Sequence, residues 1–308
     1  MALTENQQLT QNTIALERRD TRKAPVLVRH GTLSEADSHP YGCRADILIF
    51  GARLLLAMVD IHSHILPGVD DGARTLDESL AMLQVAARHG TTDIVATPHA
   101  NVRFRYNGEL IQQRFTELSE AAEDLVRVHL GCDFHISYEN VQDALENPTR
   151  YTINNLSYLM VELPDLVMPD AARNILSRLR SARMIPVITH PERNVVMQGK
   201  VDVLGELVKD GCLLQITGQS LLGRFGPEAD RCANTLLRMG LVHFIASDAH
   251  DCEDRPPRLD EPYRYVAHRF GDHVAEQLFR INPGLALTGE QLEEGLSPAV
   301  RKWYQFWK

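Results

Sequence analysis

Two histidines one residue apart, followed closely by paired aspartates, mark where this 308-residue chain can do chemistry: "DIHSHILPGVDDGA" occupies residues 60–73. On an extended strand successive side chains alternate between faces, so His62 and His64 point to one side. Asp71 lies on the loop that follows. Later apolar runs end in the same kinds of side chain: His99, Glu139, Glu162, His190, and then Asp248 with His250. Taken singly, each histidine reads as a surface or hydrogen-bonded residue. Glu162, inside "YLMVELP", is harder to dismiss, because a buried unpaired carboxylate costs several kcal/mol, of order 2–7 for a polar group and more for a charge. A set of imidazoles and carboxylates without a thiolate suits manganese, iron or zinc rather than calcium or copper. Nine such groups are too many for one ion. With bridging carboxylates they serve two or three ions, the arrangement that hydrolyses phosphate esters.

The elements that must position these residues are legible from Met58 onward. The runs "MVDIHSH", "TTDIVATPH", "DFHISYE", "SYLMVELP", "MIPVITHPE", "CLLQITGQS" and "LVHFIASDAH" are nearly continuous in apolar character, as parallel strands covered on both faces are. Amphipathic helix patterns separate most of them, over 75–89, 109–127, 169–183, 202–210 and 227–239. The first begins with a Thr75-to-Glu78 capping box, shows an apolar stripe of Leu76, Leu80, Leu83 and Ala87, and stops at Gly90. Strand and helix in alternation imply a parallel sheet with right-handed crossovers, and seven units in this length fit a closed α/β barrel. The carboxyl ends of barrel strands share one face. Six of the seven runs deliver an imidazole or a carboxylate there, and only "TGQS" brings none. Carboxylates gathered so closely repel one another unless cations neutralise them.

Composition removes other function classes. The formal charge of −9 lacks the basic footprint that a phosphate backbone requires, so nucleic acid is not an expected partner. No apolar run reaches the roughly 18 residues of a membrane span. The N-terminus has no signal-peptide pattern, and five cysteines form no C-x-x-C pair, which points to the cytoplasm. Residues 1–57 are polar and aperiodic. They read as an extension, disordered or outside the natural product, before a domain of residues 58–308. No C-x5-R nucleophile motif with a glycine-rich phosphate loop is present, so a cysteinyl-phosphate route is not expected.

The motifs "DIHSH", "TPH", "HPER" and "SDAH", in this order, resemble the polymerase-and-histidinol-phosphatase (PHP) superfamily. "MVDIHSHILPGVDDGA", "VELP", "VITHPERN" and "HFIASDAHDCEDRPPRL" resemble its capsule and exopolysaccharide branch, metal-dependent bacterial protein-tyrosine phosphatases, over Met58 to about Gly289. The resemblance implies a distorted (β/α)7 TIM-like barrel of the PHP type holding three divalent ions. It implies His62, His64, Glu139 and Asp248 for the first ion, Glu139, Glu162 and His190 for the second, and Asp71, His99 and His250 for the third. It implies phosphotyrosine hydrolysis by a hydroxide held between ions, with manganese the foremost metal. The implied partner is the phosphotyrosine tail of a membrane tyrosine autokinase that controls polysaccharide export.

Arg193 and Arg255 follow candidate ligands closely enough to reach the rim, and a guanidinium fork suits phosphate oxygens. Asp71 is a candidate proton donor as well as a ligand, and Asp60 a residue that orients a ligand. Arg103 and Arg105, in "NVRFRYN", read as solvated loop charges. The rival enzyme is a PHP-type histidinol-phosphate or other small phosphomonoester phosphatase, disfavoured by Glu162 and Asp71, where other branches carry histidine. A catalytically silent metal-binding module would need a broken ligand set. Trp303 and Trp307, one helical turn apart, are expected to pack on the barrel, with an oligomer contact as the alternative.

Overall fold

Nine parallel strand segments and ten α-helices carry the site in the computed structural model, which describes residues 57–292 apart from 124, 167 and 168. The expected N-terminal extension and the C-terminal tryptophans lie outside the described residues. The strands are β1 (Met58–Ser63), β2 (Thr91–Ala96), β3 (His99–Ala100), β4 (Arg127–Leu130), β5 (Asp133–His135), β6 (Tyr158–Glu162), β7 (Ile185–Thr189), β8 (Leu213–Thr217) and β9 (Phe244–Ala246). They form two ladders, β1-β2-β4 and β3-β5-β6-β7-β8-β9, in which every pairing is parallel.

The two ladders are one sheet bent at two places. Between β2 and β3 the chain passes Pro98, which has no N–H to give a ladder. Between β4 and β5 it passes Gly131, where an added Cβ would lie 3.1 Å from Val95 and 3.2 Å from Ile153. Pairing continues across both bends, since Gly131 donates to the Ala96 carbonyl at 2.8 Å and Asp133 to the Pro98 carbonyl at 3.1 Å. Counting each bent pair once, seven strands run in chain order. The last returns to the first: Asp248 donates to the His62 carbonyl at 2.9 Å and His64 to the Ala249 carbonyl at 2.8 Å. The expected distorted (β/α)7 barrel is the observed architecture. One strand segment went unpredicted. β4, "RVHL", is half exposed and polar at alternate positions, so it lacks the continuous apolar character that marks its neighbours.

Side chains from successive strands fill the barrel beneath its carboxyl mouth: Val59, Ile61, Val95, Met160, Val187 and Phe244 are all at most 6% exposed. At about 1.5–3 kcal/mol for each large side chain removed from water, this plug gives the mouth a rigid floor. The helices α1 (Leu76–Arg88), α2 (Gly108–Ala122), α3 (Tyr138–Glu146), α4 (Pro169–Ser181), α5 (Val195–Gln198), α6 (Val201–Lys209), α7 (Gly226–Arg238), α8 (Asp260–Phe270), α9 (Asp272–Glu276) and α10 (Asn282–Thr288) complete the described chain. α1 starts as expected, with the Glu78 amide donating to the Thr75 hydroxyl at 3.2 Å. The Glu78 carboxylate, however, accepts from Arg74 rather than from Thr75. The buried face of α1 is Ser79, Met82, Leu83 and Ala86, with the expected Leu76, Leu80 and Ala87 on the flanks.

Candidate metal centre

β1 ends by slipping register between Asp60 and Ser63, and there it delivers His62 and His64, both at most 1% exposed. Each imidazole is held by its Nδ1. That of His62 lies 3.0 Å from Gln215 Oε1 on β8, and that of His64 lies 2.8 Å from Asp70 Oδ2. Both rings therefore turn Nε2 towards the mouth, the orientation a ligand needs. Asp70 also accepts from the backbone amides of Gly72 and His99, so one buried carboxylate ties the β1–α1 loop to β3. Asp60 acts through the backbone: its Oδ1 accepts from Ser247 at 3.0 Å and His62 at 3.4 Å, locking β1 to the end of β9.

Three groups of ligand-type atoms converge here, each within 4.8 Å: His62, His64 and Asp133; His99, Asp133 and Glu162; His64, Asp71, His99 and His250. Asp248 joins the first, its Oδ1 lying 3.7 Å from His62 Nε2 and 3.4 Å from His64 Nε2. His190 stands beside Glu162, with 4.0 Å between Nε2 and Oε1. His190 and Asp248 both hold left-handed backbone angles, φ 33° and 52°, a conformation uncommon outside glycine and found at functional sites where surrounding structure enforces it.

Eight of the nine expected ligands thus gather at one mouth. Glu139 does not. The strand expected to run through "DFHISYE" stops at His135, and Ser137 caps α3 by accepting from the Asn140 amide at 3.2 Å. Glu139 falls in the exposed first turn of that helix, where a carboxylate faces the positive end of the helix dipole. It belongs to none of the converging groups among the described residues. Asp133, fully buried on β5, takes its place: Oδ2 lies 3.7 Å from His62 Nε2 and 3.1 Å from His99 Nδ1. Asp70, Gln215 and Asp133 were all passed over in the sequence. The signals available were the first aspartate of "VDDGA", Asp70, and the carboxylate of Asp133 between Cys132 and Phe134 in an apolar run.

Burial and mutual charge push the titratable groups of the cluster in opposite directions. Burial would lower the His62 imidazole, but Asp133 and Asp248 outweigh it and raise it to about 9. Burial opposes His99 as well, yet Asp133 and Asp71 lift it to about 11. Burial, with Arg193 nearby, pushes His190 down to about 3, and burial with His64 does the same to His250. Burial and the Asp133 charge raise Glu162 to about 7. Asp133 and Asp248 stay well below the usual carboxylate range despite burial, because histidines surround them. His62 Nε2, His64 Nε2, His99 Nδ1 and Asp133 Oδ2 are buried without a hydrogen-bond partner. Four buried polar atoms in one cluster left without a hydrogen bond is a costly arrangement unless cations fill the space between, and imidazole and carboxylate donors suit divalent ions.

Two arginines border the cluster. Arg193 Nη1 and Arg255 Nη2 both donate to Asp248 Oδ2, the latter at 2.6 Å. Phe225 lies beneath both, 4.2 and 5.9 Å from their Cζ atoms. Glu192, fully buried, accepts from the Thr217 amide and the Ser220 hydroxyl, anchoring "HPER" to the end of β8. Asp251 Oδ1 accepts from three successive amides, Glu253, Asp254 and Arg255, which sets the loop carrying Arg255.

A bent seven-stranded parallel barrel with clustered imidazoles and carboxylates at its carboxyl mouth defines the class: a PHP-type barrel with a candidate metal centre. Residues 58–288 match the family described as capsular polysaccharide synthesis, CpsB/CapC, and the chain belongs to it. It is 32% identical to CapC of Staphylococcus aureus over 80% of this chain and 99% of the relative. It is also 32% identical to the tyrosine-protein phosphatase YwqE of Bacillus subtilis, over 72% of this chain and 88% of that one. The crystal structures of YwqE from Bacillus subtilis and CpsB from Streptococcus pneumoniae, described as metal-dependent tyrosine phosphatases, supply a match with TM-score 0.71 and 32% identity. That match covers 77% of this chain and 96% of the solved one. A phosphotriesterase from Mycobacterium tuberculosis, TM-score 0.50 and 10% identical, shares the fold alone.

Proposed function

We propose that this chain is a metal-dependent protein-tyrosine phosphatase that hydrolyses phosphotyrosine in the control of capsule or exopolysaccharide synthesis. The observation that carries the reading is the set of orphaned imidazole and carboxylate atoms at the mouth, bordered by Arg193 and Arg255. His62, His64, Asp133 and Asp248 would hold one ion; Asp133, Glu162 and His190, with His99 alongside, a second; Asp71, His99 and His250 a third. Nitrogen and carboxylate donors admit manganese, iron or zinc, and manganese is assigned first on the family resemblance. Such ions, when bound, acidify water to a nucleophile near neutral pH and neutralise phosphoryl charge.

The chain's own groups do the rest. Arg193 and Arg255 present guanidinium forks able to take the remaining phosphoryl oxygens, and Phe225 keeps both from swinging outward. The hydrogen bond from His99 to Asp71, with the nearby imidazoles, holds the Asp71 carboxyl below its ordinary range. Asp71 is therefore assigned to ion binding rather than proton donation. A phenolate, whose conjugate acid has a pKa of about 10, leaves without the strong general acid an alkoxide demands. The reading extends to a cytoplasmic location and to the phosphotyrosine tail of a membrane tyrosine autokinase as substrate. In support, Cys132, Cys212 and Cys232 are free, buried thiols, and among the described residues no helix is long and apolar enough to cross a membrane.

The test combines metal analysis of the purified chain with turnover of a phosphotyrosine peptide and of an alkyl phosphate of the histidinol type. Metal co-purifying with the chain, loss of turnover on chelation and a strong preference for the phosphotyrosine peptide are the expected results. Equal or faster turnover of the alkyl phosphate would favour the rival small-molecule phosphatase, which the named relatives do not. His190→Ala and Asp248→Ala are expected to abolish turnover while preserving the far-ultraviolet circular dichroism spectrum.

A further inference from the structure

Four large apolar side chains stand almost fully in water: Val102, Tyr138, Leu166 and Val195, 77–87% exposed. The remaining exposed large apolars among the described residues reach only 41–44%. Scattered single apolars on a surface need no explanation. These are not scattered. They lie on the connections after β3, β5, β6 and β7, Val102 and Leu166 on loops and Tyr138 and Val195 as the first residues of α3 and α5, and those strands are consecutive neighbours in the six-stranded ladder. Each follows a candidate ligand, His99, Asp133, Glu162 or His190, by three to five residues. The apolar arc therefore runs along one side of the catalytic mouth.

At one end of the arc the charge is of the opposite kind to the whole chain. The loop after β3 is pinned by Asn101, whose Oδ1 accepts from the Arg103 and Phe104 amides at 2.9 and 2.8 Å and whose amide donates to the Phe104 carbonyl. Phe104 stacks on His99, its ring 6.0 Å away and 10° from parallel, and the Arg103 guanidinium lies over Phe104 at 4.8 Å. Arg103 is thus one ring removed from the candidate ions. Both Arg103 and Arg105 are exposed, and among the described residues neither forms an ion pair with a carboxylate. Two exposed guanidiniums on the loop that follows His99, in a protein of net charge −9, attract an anion that the bulk of the surface repels.

Building on the phosphatase reading, we propose that this rim is the docking surface for the polypeptide flanking the scissile phosphotyrosine. The apolar arc receives its side chains, and Arg103 with Arg105 takes a second anion a few residues away, a carboxylate or another phosphate. An extended peptide advances about 3.3 Å per residue, so a few residues span the distance from the ions to this loop. The enzyme accordingly prefers acidic or multiply phosphorylated tyrosine segments to isolated phosphotyrosine.

The test uses the full chain loaded with manganese and fluorescent peptides carrying phosphonomethylphenylalanine, which is not hydrolysed, with neutral, glutamate-rich or second-phosphotyrosine flanks. For Arg103→Gln/Arg105→Gln, affinity for both acidic peptides should fall about tenfold by anisotropy while the neutral-flank peptide changes by less than about twofold. Stronger loss for the phosphorylated flank than for the glutamate flank assigns the second anion as phosphate, and equal loss assigns simple charge. Tyr138→Ser/Val195→Ser should weaken all three peptides alike. Turnover of p-nitrophenyl phosphate should be unchanged in both variants. Equal loss across neutral and acidic peptides in the arginine variant, or no loss, overturns the proposal. So does arginine-dependent binding to phosphatidylglycerol-containing vesicles without any effect on peptides. If the wild type hydrolyses p-nitrophenyl phosphate yet binds none of the peptides, the docking surface fails and the phosphatase reading stands. If it hydrolyses no aryl phosphate, both fall.

Discussion

Asp133 shows how a single buried carboxylate can organise a site. It has no exposure, sits between His62 and His99, and receives a 3.3 Å hydrogen bond from the Thr189 hydroxyl on its other oxygen. A charge so placed is tolerated only with compensating positive partners, here imidazoles and, by proposal, two ions. Exposed Glu139 makes no such demand. The two residues therefore separate cleanly by experiment. Asp133→Asn is expected to lower turnover by at least about a hundredfold and to weaken metal binding by a similar factor, as ligand and near-ligand changes do. Glu139→Gln should leave both within about twofold. Competition with a chromogenic chelator measures the metal arm, and an inert Asp133→Asn would remove that residue from the centre.

At the scale of elements, the loop from β1 to α1 is the tightest constraint. The Gly68 amide donates to the Ala73 carbonyl at 2.8 Å and the Ala73 amide to the His64 carbonyl at 3.0 Å, folding the loop back onto the strand that carries two ligands. Gly72 lies at the crossing, and a Cβ there would stand 1.9 Å from the His64 carbonyl oxygen and 2.6 Å from its Cβ. Those are backbone and near-backbone atoms, which cannot step aside. Gly72→Ala should cost about 3 kcal/mol or more, and for a barrel of this size lower Tm by roughly 6–12 °C. Turnover should fall with it, because the displaced loop carries Asp70 and Asp71. A thermal melt of this variant indistinguishable from wild type would mean the loop relaxes around the methyl group.

For the whole molecule, closure of the barrel brings distant segments under mutual constraint, and His243 reports on it. Its Nδ1 accepts the Leu214 amide at 3.1 Å, its own amide donates to the Leu214 carbonyl, and Asn282 caps its carbonyl at 2.8 Å. Burial lowers this imidazole to about 4. The unfolded chain binds the proton below about pH 6.5 while the folded chain refuses it until about pH 4, so the stability His243 contributes is complete above pH 6.5 and is lost as pH falls towards 4. With the ring partly exposed, the loss is about 1–2 kcal/mol. Denaturant midpoints for His243→Asn, which can still offer an acceptor to Leu214, should fall less steeply than wild type across that interval. Parallel profiles would show that His243 titrates alike in both states.

The alternation of apolar strands with helices from Met58, and the metal-capable side chains closing those strands, were legible because both are local: burial on two faces selects apolar runs, and a strand end is a position along the chain. His62, His64, Asp71, His99, Glu162, His190, Asp248 and His250 could be read on that basis. Glu139 could not be separated from Asp133 in the same way, since a strand that yields early to a Ser137-capped helix hides its own end. The orienting carboxylate of Asp70, the Gln215 contact across the barrel and the Phe225 ring beneath two arginines depend on segments brought together by closure. Such pairings cross as many as 153 residues of chain between His62 and Gln215, and nothing in local propensity records them.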